Sequence, residues 1–122
     1  MLTGALIVES LQPATVLDDV PLHVTKIVRR SSTEATFGQP QVWTDLEFTA
    51  EDDDAELLAQ SLAAALDGPG WWADFRSDSE SFVIFPGRVF RYARGDSAAR
   101  LEAQEYGRQI AGVPEHQLDW AV

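Results

Sequence analysis

Few side chains in this sequence belong to types that carry chemistry, and their spacing narrows what they can do. The histidines are His23 and His116, and neither has a partner at metal-ligand spacing. His116 with Asp119, or His23 with Asp74, would suit acid–base work if folding brought the members together, and a hydrolase or nuclease would be built on His116, Asp119 and Asp74. Asp74 and Arg76 stand two residues apart beside Trp72. On a strand all three share one face, either as a solvated charge pair with the arginine stacked on tryptophan or as a polar pocket. In the pocket reading, Arg76 binds an anionic group of a small ligand and Asp74 holds the arginine in place.

The third group is acidic: Asp45, Glu47, Glu51, Asp52, Asp53, Asp54 and Glu56 fall within twelve residues. A calcium loop needs acids at alternate positions, a turn glycine and a distal glutamate, and this run has no such spacing. Acids at the start of a helix instead complement its dipole. Capping uses only the first-turn acids, which leaves more carboxylate than local structure needs, and the seven are expected to form one acidic surface. No nucleophile elbow, phosphate loop or dinucleotide fingerprint occurs. No catalytic residue, metal site or cofactor is implied.

Composition sets the outer bounds. The chain has 122 residues, no cysteine and a formal net charge of −11. Its length fits a single domain over residues 1–122 with one buried core. Without cysteine there are no disulfides, thiolate nucleophiles or Cys-ligated metals, and a cytoplasmic location is expected. The apolar start from Leu2 to Val8 lacks a basic preceding segment and is too short for a signal or a membrane span. Strong negative charge argues against nucleic acid and anionic membranes, which are bound through Lys and Arg; it is compatible with a basic protein partner and equally with carboxylates that only keep a small protein soluble.

The elements that must position these residues centre on Gly70–Gly95, which holds seven of the twelve aromatic residues. Trp71, Ala73 and Phe75 alternate with Trp72, Asp74 and Arg76, the period of two that a half-buried strand requires. Phe82–Phe85 is a continuous apolar run, Pro86-Gly87 suits a turn, and Arg88–Tyr92 alternates again, so the segment reads as an antiparallel meander. Before it, Ala5–Leu11, His23–Arg30 and Gln41–Phe48 read as strands, with Trp43, Asp45 and Glu47 on the outer face of the last. Ala14–Leu22 reads as a loop, and the small polar residues from Ser31 to Pro40 predict disorder or a mobile loop.

Thr49 is the expected cap of a helix with Leu57, Leu58, Leu62, Ala65 and Leu66 on its apolar stripe, closed by Gly68-Pro69. A second helix, capped by Asp96 or Ser97, carries Ala99, Ala103, Tyr106 and Ile110 as its stripe and ends at Gly112. Leu118 and Trp120, after a turn at Pro114, are expected to dock on the domain. This order predicts an α+β domain: a mainly antiparallel sheet of five to six strands with both helices on one face, with a ferredoxin-like variant as the candidate arrangement from the third strand onward.

Trp71-Trp72-x-Asp74-Phe75-Arg76, Phe85-Pro86-x-x-Val89-Phe90 and Gly112-Val113-Pro114-x-x-Gln117-Leu118-Asp119-Trp120 together form a pattern that resembles a group of small uncharacterised bacterial proteins with no assigned activity. The resemblance covers Gly70 to Trp120. It implies a shared module in that part of the chain and no function, and makes the first seventy residues the variable part. The leading functional expectation is therefore a non-catalytic acidic binding protein of the immunity, antitoxin or inhibitor kind. The alternatives are a small-ligand or regulatory domain around Asp74 and Arg76 and the hydrolase above. Strand order and oligomeric state are left open by the sequence.

Overall fold

Phe82, Val83, Ile84 and Phe85 are all buried, with at most 1 % of any side chain exposed. Side chains of a strand alternate between faces, so a strand buried at every position must be covered on both. The computed structural model, which describes residues 1–36 and 38–122, shows what covers it. The strands are β1 (Leu2–Ile7), β2 (His23–Ser31), β3 (Val42–Ala50), β4 (Ala73–Arg76), β5 (Glu80–Phe85) and β6 (Arg88–Ala93). The helices are α1 (Ala55–Ala65) and α2 (Ser97–Gln109). The strands form one six-stranded sheet in the order β2-β3-β1-β4-β5-β6, every neighbouring pair antiparallel. The fold is α+β, and no helix among the described residues is long and apolar enough to cross a membrane.

The helices do not share a face, which corrects the expectation. On one side α1 presents Leu58 and Leu62 to Leu2, Leu6, Phe48, Phe75, Phe82 and Ile84. On the other, α2 and the C-terminal segment pack Ala103, Leu118 and Trp120 with Val83 and Phe85, alongside Trp72, Phe90 and Tyr106. The second core gathers much of the tripartite sequence pattern, and Leu118 and Trp120 dock as expected. Phe75 and Phe82 face each other across β4 and β5 with ring centroids 4.6 Å apart and nearly parallel, an arrangement worth about 0.5–1.5 kcal/mol beyond its burial.

β1 lies between β3 and β4 and is antiparallel to both, so β3 and β4 run the same way and α1 links them across it. This split βαβ unit is the ferredoxin-like part of the fold. The likeness stops there, because β6 follows β5 directly and α2 comes after both. The close approach of β1 to its neighbours depends on Gly4. A Cβ there would lie 2.5 Å from the Asp74 carbonyl oxygen and from Phe75 Cβ, and 2.8 Å from the Phe48 ring.

Three local expectations shift. Thr49 is not a cap: β3 continues to Ala50, because Thr49 has ladder partners on both sides, Thr3 and His23. The chain enters α1 through a 3-10 turn at Asp52–Asp54, so the acids still stand at the positive end of the helix. Leu57 is exposed, since Leu58, Ala59 and Leu62 define the inward stripe. Ile110 is also exposed because it lies beyond the last turn of α2. Asp96 caps α2 as read, its carboxylate accepting from the Ala99 amide at 3.0 Å.

Candidate functional site

α2 and the C-terminal segment cover the sheet face over β5 and β6 and reach β4, leaving the β1, β3 and β2 part of that face open. A pocket of about 390 Å³ sits at the boundary. Its floor is Ala5 and Ile7 of β1, one wall is Trp43, Asp45 and Glu47 of β3, and the other is Trp72 and Asp74 with Gln117 and Asp119 behind them. Period-two alternation puts these residues on one face: Asp45 and Glu47 from β3, Asp74 from β4.

The walls are rigid. Trp43 is buried, its indole Nε1 donates to the Pro40 carbonyl at 2.9 Å, and its ring meets Trp71 edge-on at 5.5 Å. Trp72 donates to the Gln117 carbonyl at 2.7 Å and packs edge-on against Trp120 at 5.3 Å. The rim is tied across the chain: Gln117 Nε2 donates to the Glu34 carbonyl at 2.8 Å and to Gln39 Oε1 at 2.9 Å, and Gln39 Nε2 donates to the Gly70 carbonyl at 3.3 Å. The expected mobile loop is therefore tied to the domain through the Glu34 carbonyl and the Gln39 side chain; Phe37, within that expectation, lies outside the described residues. Ser32 within it is buried and its amide donates to the Gln41 carbonyl at 2.7 Å.

The electrostatics are lopsided. Among the described lining residues five are carboxylates, Glu34, Asp45, Glu47, Asp74 and Asp119, against the single cation Arg30. Arg30 reaches in from β2, its Nε donating to Asp45 at 2.6 Å and its guanidinium lying 5.4 Å over the Trp43 ring. Lys26 stands 3.8 Å from Glu47. Asp74 has no comparable partner: Arg76 Nη1 is 3.8 Å away, past hydrogen-bond range, and the aspartate side chain is only 16 % exposed. Burial pushes Asp74 up to about 6, against the pull of Arg76 and Arg100, and the nearby Asp119 adds to the rise.

The expected site residues separate accordingly. Trp72 and Asp74 line the pocket, whereas Arg76 lies on the same strand outside the lining, so the pocket offers carboxylate where an anion site would need the arginine. Asp45 and Glu47 line it too. Glu51, Asp52, Asp53, Asp54 and Glu56 do not: the chain leaves β3 there and crosses to the α1 face, where Asp52 pairs with the Met1 amino group at 2.7 Å and Glu56 approaches Arg91 at 4.0 Å. The seven acids thus form two groups rather than one surface.

His116 turns away from Asp119 and Asp74, its Nε2 lying 2.9 Å from the Glu34 carbonyl. His23 lines a shallower concavity of about 270 Å³ with Thr49 and Glu51, and β3 and β1 stand between it and Asp74, roughly 14 Å at ordinary strand spacing. No group of three or more His, Asp or Glu side chains is placed to hold a metal ion among the described residues.

Sequence reading missed Trp71, Arg30, Glu34 and Gln117 as site residues. Trp71 was expected in phase with Ala73 and Phe75, but β4 starts only at Ala73 and the tryptophan leaves the alternation to meet Trp43. For Trp43 a signal was present, since it shares its strand face with Asp45 and Glu47. Comparison with protein-family models, with curated proteins and with solved structures gives no match.

Proposed function

We propose that this chain is a non-catalytic binding protein whose acidic sheet-face pocket engages a basic protein partner. One observation carries the reading: among the described residues, five carboxylates and three tryptophans converge on a concavity whose one lining cation is already paired with Asp45. Carboxylates beside aromatic walls favour a ligand that is cationic at its tip and apolar along its stem, as arginine and lysine side chains are. The net charge of −11 would steer such a partner toward the protein, an effect that fades as salt shortens the Debye length.

The test is fluorescence anisotropy with a labelled peptide rich in arginine and lysine, against a peptide of equal length in which these are replaced by glutamine. Wild type should bind the basic peptide alone. Changing Glu47→Gln together with Asp119→Asn should weaken binding by about two- to tenfold, the size of two partly exposed ion pairs. Changing Asp52, Asp53 and Asp54 to asparagine, which alters the group outside the pocket, should cost less at moderate salt. Equal binding of both peptides, or a larger loss from the Asp52–Asp54 variant than from the pocket variant, would sink the proposal.

A further inference from the structure

Resting on that reading, we infer that the wall formed by Asp74, Asp119 and Trp72 is an arginine subsite, which takes a guanidinium from the partner as Asp45 and Trp43 take that of Arg30. The chain's own arginine displays the recognition mode: a carboxylate accepts from Nε at 2.6 Å while an indole lies under the guanidinium at 5.4 Å. Across the pocket the same two ingredients, Asp74 and Trp72, recur, with Arg76 standing off at 3.8 Å and no guanidinium at hydrogen-bond distance.

Asp74 is the group that would meet the guanidinium. Its carboxylate accepts no hydrogen bond from the described residues, although its side chain is only 16 % exposed and opens onto the pocket. Neither nearby arginine can serve as that donor in this arrangement. Arg76 Nη1 stops at 3.8 Å, while Arg100 donates to the Trp120 carbonyl at 2.7 Å and the Ala121 carbonyl at 3.3 Å, with its guanidinium over the Trp120 ring. The carboxylate is partly desolvated but still reaches solvent through the pocket, and a planar guanidinium offers paired donors that match both carboxylate oxygens. An ammonium presents one compact, strongly hydrated charge and fits the aromatic wall less well. Arginine is therefore favoured over lysine.

The subsite needs Asp74 ionised. The charged groups facing it are Arg76 on its own strand, Arg100 on α2, Asp119 on the C-terminal segment, and, around the pocket, Asp45 and Glu47 on β3, Arg30 on β2 and Glu34 in the segment after it; β1 beneath contributes none. With burial holding Asp74 up to about 6, protonation competes with the ligand as pH falls through that value. At pH 5 only about one molecule in ten keeps the ionised form, so affinity drops about tenfold from its value at pH 7.5.

The experiment is an amide and indole NMR titration with N-acetyl-arginine methylamide, run beside N-acetyl-lysine methylamide. The arginine compound should shift the Trp72 indole and the Asp74 amide, bind at least about threefold more tightly than the lysine compound, and weaken about tenfold from pH 7.5 to pH 5. Asp74→Asn should abolish that pH dependence and most of the shift. Asp119→Asn, at an exposed position, should weaken binding with the fold intact. Shifts confined to Trp43 and Asp45, or unchanged binding in Asp74→Asn, would overturn the subsite. If the basic peptide still binds in that case, the broader binding reading survives alone; if neither compound nor peptide binds, both fall.

Discussion

Asp74→Asn should make the protein more stable at neutral pH, although it removes a charge beside Arg76. The carboxyl titrates near 3.8 when unfolded and is pushed up to about 6 in the fold, burial being the main cause. Between those values the folded state holds more protons than the unfolded state, so wild-type stability falls as pH rises through the window. Below pH 4 the contribution is fully present, and above pH 6 it is lost. A rise of about two units at 1.36 kcal/mol each makes the ionised carboxylate a penalty of about 2–3 kcal/mol at pH 7.5, with the attraction of Arg76 and Arg100 already included. Asparagine keeps the shape and carries no charge. Urea unfolding of both proteins from pH 4 to 7.5 measures the difference directly, because the other titrating acids cancel in the subtraction. The variant should be more stable by about 2–3 kcal/mol at pH 7.5, with the gap closing toward pH 4. A gap independent of pH, or a less stable variant at pH 7.5, would refute the account of Asp74 as a desolvated charge.

Two further outcomes test the packing. Leu62 is fully buried between α1 and the sheet, so Leu62→Ala should destabilise by about 2–5 kcal/mol in denaturant melts. Gly4→Ala would place a methyl 2.5 Å from the Asp74 carbonyl oxygen; overpacking of this kind costs about 1–3 kcal/mol or more, and an unchanged melt would mean β1 and β4 are farther apart than described.

The fold was legible where local pattern and tertiary demand agree. The alternation of Val42–Phe48 sorted Leu46 and Phe48 inward and Asp45 and Glu47 to the other face, as observed. Pro86-Gly87 and Asp96 marked a turn and a cap by chemistry that acts within a few residues. The opposite placement of the helices was signalled by the unbroken run Phe82–Phe85, which requires cover on both faces, but a run alone does not say which helix supplies it. Thr49 was misread because ladder bonds to two neighbours outweigh one capping bond, and strand order is not local information. The same gap explains the site. Asp74 and Trp72 were visible as one face of a strand, yet their meeting with Asp45 and Glu47 depends on β1 lying between β3 and β4, which places residues from both ends of the chain around one pocket.

The placement of the arginines argues that the carboxylate excess at the pocket is local rather than a side effect of an acidic composition. Arg91 is paired with Glu80 at 2.7 Å, Arg108 with Glu115 at 2.5 Å and Glu105 at 2.6 Å, and Arg30 with Asp45 at 2.6 Å, so three arginines on or near the sheet and α2 hold carboxylates at hydrogen-bond distance while Asp74 has no such pair. A carboxylate kept for structure would lose stability when neutralised, and any binding loss would follow from the damaged fold. A carboxylate kept for a ligand is expected to oppose folding in the free protein, since active and binding groups are commonly held at some cost to stability. Asp74→Asn therefore separates the two roles by sign. Stability should rise at pH 7.5 while affinity for N-acetyl-arginine methylamide falls, in the same preparation. If both fall together, Asp74 is a structural residue and the pocket has lost the side chain on which its cation recognition depends.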